Sequence, residues 1–283
     1  MRRKEGRKIK NMGPFIKIFP YVMDRRTDAQ VFAKELVQID PIEEYLADQR
    51  AQGHDINLLH FYLSVYVRVL AERPKLNRFI MNNKYYARNG ISISMAIKRR
   101  LVDEADETTV KFNFDGTESV YQVAEIVNQT INDALTNSED SPNVDRLVNF
   151  ILGLPGIVKK GLVGLLKWMD RVNMLPASVI DVSPFHASLF FSHLRSIRGR
   201  YVYHHLYNIG TCGLFVAIGR VEKKAIVVDD EVVVSNCVEI GYALDERICD
   251  GLYVANSFRL VEKYLHNPHL LETPLEKIVE DVE

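Results

Sequence analysis

Seven consecutive residues, Asp245-Glu246-Arg247-Ile248-Cys249-Asp250-Gly251, gather carboxylates, a guanidinium and a thiol where a strand pattern gives way to a helix pattern. Loops at such junctions often hold catalytic groups. Glu246 is a candidate proton acceptor. An unperturbed glutamate titrates near ~4.3, and burial and the like charge of Asp245 would raise it. The structural alternative is that Glu246 merely salt-bridges Arg247 or an arginine across an interface. Cys249 invites a nucleophilic role, but a small cysteine at a helix start is more often inert packing, and no base lies beside it in sequence.

Other candidates are spread along the chain. Ser188 and Ser192 share one face of a strand pattern and are flanked by His186 and His193. His204-His205, inside the aromatic segment 201–207, offer an imidazole, although histidines in such loops are commonly structural or exposed. Arg25 and Arg26 read as solvated surface charges, since arginine is mostly exposed.

The elements that must position these groups follow from periodicity. Val31 to Ile39 reads as a strand, and Asp40-Pro41 opens a short helix, with the aspartate as its cap. Leu59, Tyr62, Leu63, Tyr66 and Leu70 recur at helical spacing within 56–73, and Pro74 ends that helix. Strands are predicted over 78–81, 91–97 and 108–114, with turns at Asn89-Gly90 and Asp115-Gly116. A helix over 117–135 carries Val120, Val123, Val127 and Ile131 on one side.

Residues 136–146 form a polar surface loop. Over 147–175, Val158, Leu162, Leu165, Met169 and Val172 make an apolar stripe bordered by lysines, split by Pro155-Gly156. This amphipathic insert is expected to pack on its own domain or on another subunit, the commoner use of such a stripe, rather than lie on a membrane surface. Strands return over 188–191, 213–219 and 237–244. A hairpin joins 225–228 to 232–234 through Asp229-Asp230-Glu231, and a last helix covers 252–265.

The chain has 283 residues, 47% of them hydrophobic, enough for a sizeable core and incompatible with a disordered or fibrous protein. Its 36 Lys and Arg nearly cancel 37 Asp and Glu, so no global field draws nucleic acid or an anionic membrane, and any such role must be local. Cys212, Cys237 and Cys249 form neither a disulfide framework nor a metal-binding pair, which suits a reducing cytoplasm. No metal is expected. Residues 1–14 read as a basic flexible tip ahead of one domain over 15–283.

The motif Glu246-x-x-x-Asp250-Gly251 resembles the His-x-x-x-Asp-Gly of chloramphenicol acetyltransferase and the 2-oxo acid dehydrogenase acyltransferases, with Glu246 where that family keeps its catalytic histidine. Further stretches resemble the family in the same order: Asp24-Arg25-Arg26, Val37 to Asp40, Glu72 to Asn77, Ile91 to Ala96, and Ser188 to Leu194, similar to "Thr-Phe-Thr-Ile-Ser-Asn-Leu".

The resemblance implies an α/β fold: a mixed central sheet with helices packed on one side. It also implies a homotrimer with the active site between subunits, and an ion pair from Asp250 to Arg25 or Arg26. Ser188 or Ser192 would be the oxyanion donor, since the family position may fall on Phe190. The activity implied is acyl transfer between coenzyme A and an unknown acceptor. With only about 15 residues ahead of the fold, no lipoyl group is expected on this chain, so any lipoyl thiol would come from another protein. The alternative is an inactive trimeric binding or scaffold protein of the same fold.

Overall fold

The computed structural model describes residues 3–98, 107–136 and 153–282; the expected loop at 137–146 and the start of the insert, 147–152, lie outside them. Six strands form the main sheet: β2 (Gln30–Gln38), β5 (Ile91–Lys98), β6 (Glu107–Phe114), β7 (Leu189–His193), β8 (Leu214–Val228) and β9 (Glu231–Asp245). Their spatial order is β2-β9-β8-β7-β5-β6. β7 runs parallel to β5 and β8, and the other pairs are antiparallel. The expected mixed sheet is therefore present. A second antiparallel sheet joins β1 (Gly6–Lys8), β4 (Lys84–Arg88) and β3 (Arg78–Met81).

One face of the main sheet meets α2 (Asp40–Ala51), α3 (Leu58–Glu72), α4 (Val120–Thr136) and the C-terminal helix. The alternation of β5 puts Ile91, Ile93 and Met95 into this core together with Leu189 and Phe191 of β7, as period-two geometry requires. α3 begins at Asn57, whose Oδ1 accepts from Leu59 N at 2.9 Å and His60 N at 3.1 Å; this satisfies amide groups that a helix start leaves unpaired. Asp40 is not a cap. It stands inside α2, and its carboxylate accepts from Asn236 Nδ2 at 2.8 Å, tying the helix start to β9.

The opposite face is covered by a strap, residues 199–212, whose Leu206 and Cys212 pack with Phe190, Phe215, Ala217 and Ala243. Gly219 and Gly241 let this strap lie flat: a Cβ on Gly241 would meet Val202 O at 2.5 Å, and one on Gly219 would meet Tyr201 N at 2.7 Å.

The N-terminal segment is not a free basic tip. Gly6–Lys8 pairs with β4, and Arg3 is 3% exposed, donating to Asp170 Oδ1 at 2.6 Å and Glu5 Oε2 at 2.6 Å. Buried carboxylates compensate its charge, so it folds inward. Burial alone would raise Glu5, but Arg88 and Arg3 reverse this and hold its carboxyl below the ordinary range. Asp170 is likewise pushed up by burial and brought below its usual value by His186 and Arg3.

Asp170 also docks the insert, which forms α5 (Gly156–Arg171) and α6 (Ala177–Val182). Lys111 of β6 donates to Ile180 O at 3.0 Å. The insert thus contacts its own domain through its C-terminal end. Its apolar stripe is partly uncovered, with Val158 48% and Leu165 50% exposed while Leu162, Met169 and Val172 are half-buried. No helix of the described residues is long and apolar enough to cross a membrane.

Candidate functional site

The motif caps the end of β9. Asp245, 1% exposed, closes the strand, and its amide donates to Gly213 O at 2.9 Å. Its carboxylate accepts from Arg247 Nε and Nη2, both at 2.7 Å, and lies 3.6 Å from Arg26 Nε. Arg247 reaches on to Met23 O at 2.7 Å, and Arg26 to Tyr207 O and Gly210 O. Burial lowers the Arg26 guanidinium from its usual value, opposed by Asp245. Two arginines on one buried carboxylate therefore clamp the turn to the segment before β2 and to the strap.

Arg26 pairs with Asp245, not with Asp250, and Arg25 is exposed. The reason is local. Asp250 is the N-cap of the C-terminal helix α7 (Gly251–His266), and its Oδ1 accepts from Tyr253 N at 2.9 Å. That bond turns the carboxylate outward, 4.0 Å from Lys75 Nζ, and holds it below the usual carboxylate range. Arg26 is buried, and among the described carboxylates Asp245 is the one within reach of it.

Glu246 is exposed, and its amide donates to Ala29 O at 2.9 Å. It does not pair with Arg247, whose guanidinium is taken by Asp245 and Met23. Nor does Asp245 face it as an uncompensated like charge, since both its oxygens lie on arginine. Cys249 is buried, and burial together with Asp250 pushes its thiol up to about 12; it is packing rather than a nucleophile.

Ser188 is buried, and its Oγ accepts from Ser92 N at 3.0 Å, so it serves as a sheet staple. Ser192 is half-buried on the strap face, at the far end of the sheet. The register runs Ser192, Ala217, Gly241 across three strands, and Glu246 lies five residues beyond Gly241. At ~3.3 Å per residue and ~4.8 Å per strand, Ser192 and Glu246 of one chain stand on the order of 15–20 Å apart. A single chain does not bring them together. His204 stacks on Phe215 with ring centroids 4.0 Å apart, and its Nδ1 lies 2.8 Å from His205 O; these histidines hold the strap in place. His186 lies 3.2 Å from Asp170 Oδ2 and 2.8 Å from Ser183 Oγ, part of the buried cluster that docks the insert.

Two features escaped the sequence reading. One is the carboxylate clamp itself, for which Asp24-Arg25-Arg26 was the signal. The other is a groove beside the β8 bulge lined by Arg195, Arg198, Arg200, Arg220 and Lys223; its arginines come from two separate segments and show no local motif. Among the described residues no group of three His, Cys, Asp or Glu side chains is placed to hold a metal ion.

Residues 213–273 match the sequence model of the 2-oxoacid dehydrogenases acyltransferase catalytic domain. The fold is similar to a probable dihydrolipoamide acetyltransferase of Listeria monocytogenes at a TM-score of 0.58 and 13% identity, covering 92% of this chain and 94% of that one. It is similar to the dihydrolipoamide acetyltransferase of Azotobacter vinelandii at 0.58 and 12%, covering 93% of each chain. A chloramphenicol acetyltransferase superposes at 0.51 and 14% identity, over 92% of this chain and 99% of that one. No curated protein matches the chain in sequence. At these identities the likeness establishes the fold, and the expected chloramphenicol acetyltransferase-like architecture is the one found.

Proposed function

We propose that this chain, built on the fold of the dihydrolipoamide and chloramphenicol acetyltransferases, is an acyltransferase that moves an acyl group between coenzyme A and an acceptor thiol, amine or hydroxyl. The observation that carries this reading is the clamped turn. Asp245, Arg247 and Arg26 rigidly present Glu246 at the end of β9, the junction where the resemblance places the reacting base, and residues 213–273 match the acyltransferase model there. A lipoyl thiol supplied by another protein is one such acceptor.

In the proposed reaction Glu246 takes the proton from the incoming thiol and the thiolate attacks the acyl carbonyl; the tetrahedral intermediate then collapses with cleavage of the carbon–sulfur bond to coenzyme A, whose thiolate leaves and takes the proton back from Glu246. The tetrahedral oxyanion is stabilised by a hydroxyl, which we assign to Ser192 of another copy, because the register separates the two residues within one chain. Association of copies as a trimer both supplies Ser192 and buries Glu246. Burial disfavours the ionised carboxylate and raises its basicity toward that of a thiol.

The test is transfer from acetyl-coenzyme A to dihydrolipoamide, followed by thiol release. Glu246→Gln is expected to abolish turnover, and Glu246→His to raise it by about 10²-fold or more, since a base with pKa near the working pH is the better match. Wild-type turnover that survives Glu246→Gln undiminished ends the proposal for this residue. A second reading, an inactive oligomeric scaffold, draws on exposed valines of the β8–β9 hairpin, Val232 at 73% and Val234 at 72%. Under that reading the wild type is silent and only Glu246→His turns over.

A further inference from the structure

The chain as a whole carries a formal charge of -1, yet one groove of about 740 Å³ is lined by Arg195, Arg198, Arg200, Arg220 and Lys223 with Glu222 as the one carboxylate among them. Arg195 is paired with Glu43 at 3.0 Å, and Arg200 and Arg220 with Glu222, so two carboxylates offset part of the charge, while Arg198 and Lys223 stay exposed and able to meet an anion from solvent. The groove is also built rather than incidental. The chain leaving β7 makes a tight turn over 194–197 and then sets Arg198 in the left-handed region, φ 55°, a conformation uncommon for a residue with a long side chain.

The next residue, Gly199, is hydrogen-bonded to Leu194 O through its amide at 2.9 Å, and its own carbonyl accepts from Arg220 N at 2.8 Å. These bonds lock the turn onto the β8 bulge between Ile218 and Val221. Glu222 then orients two of the arginines, accepting from Arg200 Nε at 3.0 Å and from Arg220 Nε at 3.0 Å and Nη2 at 2.8 Å. Arg220, Lys224 and Arg200 hold that carboxyl down to about 2, so it stays charged as an anchor at any physiological pH.

We infer that this groove is a phosphate site that takes the nucleotide end of the acyl donor, the phosphorylated adenosine of a coenzyme A thioester. The inference rests on the acyltransferase reading for the identity of the donor. Guanidinium forks match phosphate oxygens two at a time, and several arginines converging from different directions suit a ligand with more than one phosphate. The volume is within the ordinary range for a small-molecule site, about 300–1,000 Å³.

Position agrees with the chemistry. Ser192 pairs with Ala217 of β8, and the groove begins at the bulge just beyond Ala217 on the same strand. The phosphates would sit on the order of 10–15 Å from the Ser192 hydroxyl by strand spacing, within reach of the extended arm that carries the thioester. The five cations also give the local field that the balanced overall charge does not supply.

The experiment is calorimetric titration of the intact protein with adenosine 3′,5′-bisphosphate, coenzyme A and dephospho-coenzyme A. It compares wild type, Arg198→Asn, Arg200→Gln and Glu246→Gln. Asparagine tolerates the left-handed backbone of position 198, and thermal melts confirm that each variant is folded. The bisphosphate and coenzyme A are expected to bind wild type and Glu246→Gln equally. Dephospho-coenzyme A should bind more weakly, and each arginine variant should lose roughly tenfold or more, the effect of one charge-assisted contact.

Bisphosphate binding that is absent in wild type, or equal in the arginine variants, overturns the inference. So does a groove that takes an acidic peptide or an oligonucleotide and ignores coenzyme A. The two proposals fail separately. Acetyl transfer with a KM untouched by the arginine variants removes the groove and leaves the acyltransferase. Arginine-dependent bisphosphate binding without any turnover leaves the groove and removes the chemistry.

Discussion

His193 shows what one residue contributes when the sheet buries it. Its side chain lies on the helix-covered face beside Phe191, its Nε2 is buried without a hydrogen bond, and burial, reinforced by Arg195, pushes the imidazole down to about 4 from 6.5. Between those two values the unfolded chain binds a proton that the folded chain refuses. Stability therefore rises with pH across that window and is lost on acidification from pH 6.5 toward 4, by up to about 3 kcal/mol. Glu5 and Asp170, whose folded values are lowered, add their own losses as pH falls below about 5, and these losses are shared by wild type and variant. Urea denaturation at pH 7 and pH 4.5 should show the midpoint falling for wild type and falling much less for His193→Asn; identical slopes in the two proteins would exclude His193 as the source.

The motif carboxylates divide by the same local logic. Asp245 is buried on two arginines, Asp250 caps a helix and Glu246 is exposed. Sequence places all three within six residues but does not say which one faces inward. That depends on the strand pairing of Asp245 with Gln30, which brings Arg26 to Asp245 and leaves Asp250 to the helix.

At the scale of elements, Asp250 and Gly241 make opposite predictions about where stability resides. Asp250→Ala removes a cap from α7 and should lower stability by about 1 kcal/mol, seen as a small fall in melting temperature, with Asp250→Ser close to wild type. Gly241→Ala forces a Cβ against a carbonyl of the strap at 2.5 Å. It should cost more than the cap and loosen 199–207, detectable as faster amide exchange there; a neutral Gly241→Ala would show that the strap does not depend on that close approach.

Periodicity made β6 and α7 legible, because each has one buried and one wetter face; α3 and β5 were legible from the spacing of their large apolar side chains, although His60 to Ala71 and Ile91 to Met95 are buried without a break. β8 and β9 read as broken pieces, since the charged run Arg220 to Lys224 interrupts the apolar pattern, yet both strands run 15 residues without a gap. Their outer halves pair only with each other beyond Ile218 and Cys237, and a ribbon wet on both faces tolerates charge. β4 was missed because Tyr85, Tyr86 and Ala87 are all buried, which removes the alternation that marks a half-buried strand. The turn at Asp229-Asp230 was legible, and both residues take positive φ, as a two-residue hairpin turn requires.

On the proposed acyltransferase reading, a single chain is incomplete both as a catalyst and as a surface. The projecting hairpin exposes Val227, Val232 and Val234, and a two-stranded ribbon is marginal in water by itself, so a second copy is the economical cover for it. The proposed site would need the same association, because the sheet holds Ser192 and Glu246 of one chain on the order of 15–20 Å apart. If each active site takes its base from one copy and its hydroxyl from the next, two individually dead variants should rescue one another. Glu246→Gln and Ser192→Ala subunits, each inactive alone, are unfolded together and refolded as a mixture. Hybrid oligomers then contain some interfaces with both groups intact, and turnover should return to a substantial fraction of wild type. A double variant carrying both changes on one chain, refolded with wild type, should only dilute activity. Mixed single variants that stay silent, while sedimentation shows hybrids formed, would mean that both residues act within one chain; a Ser192→Ala subunit active by itself would mean that Ser192 takes no part.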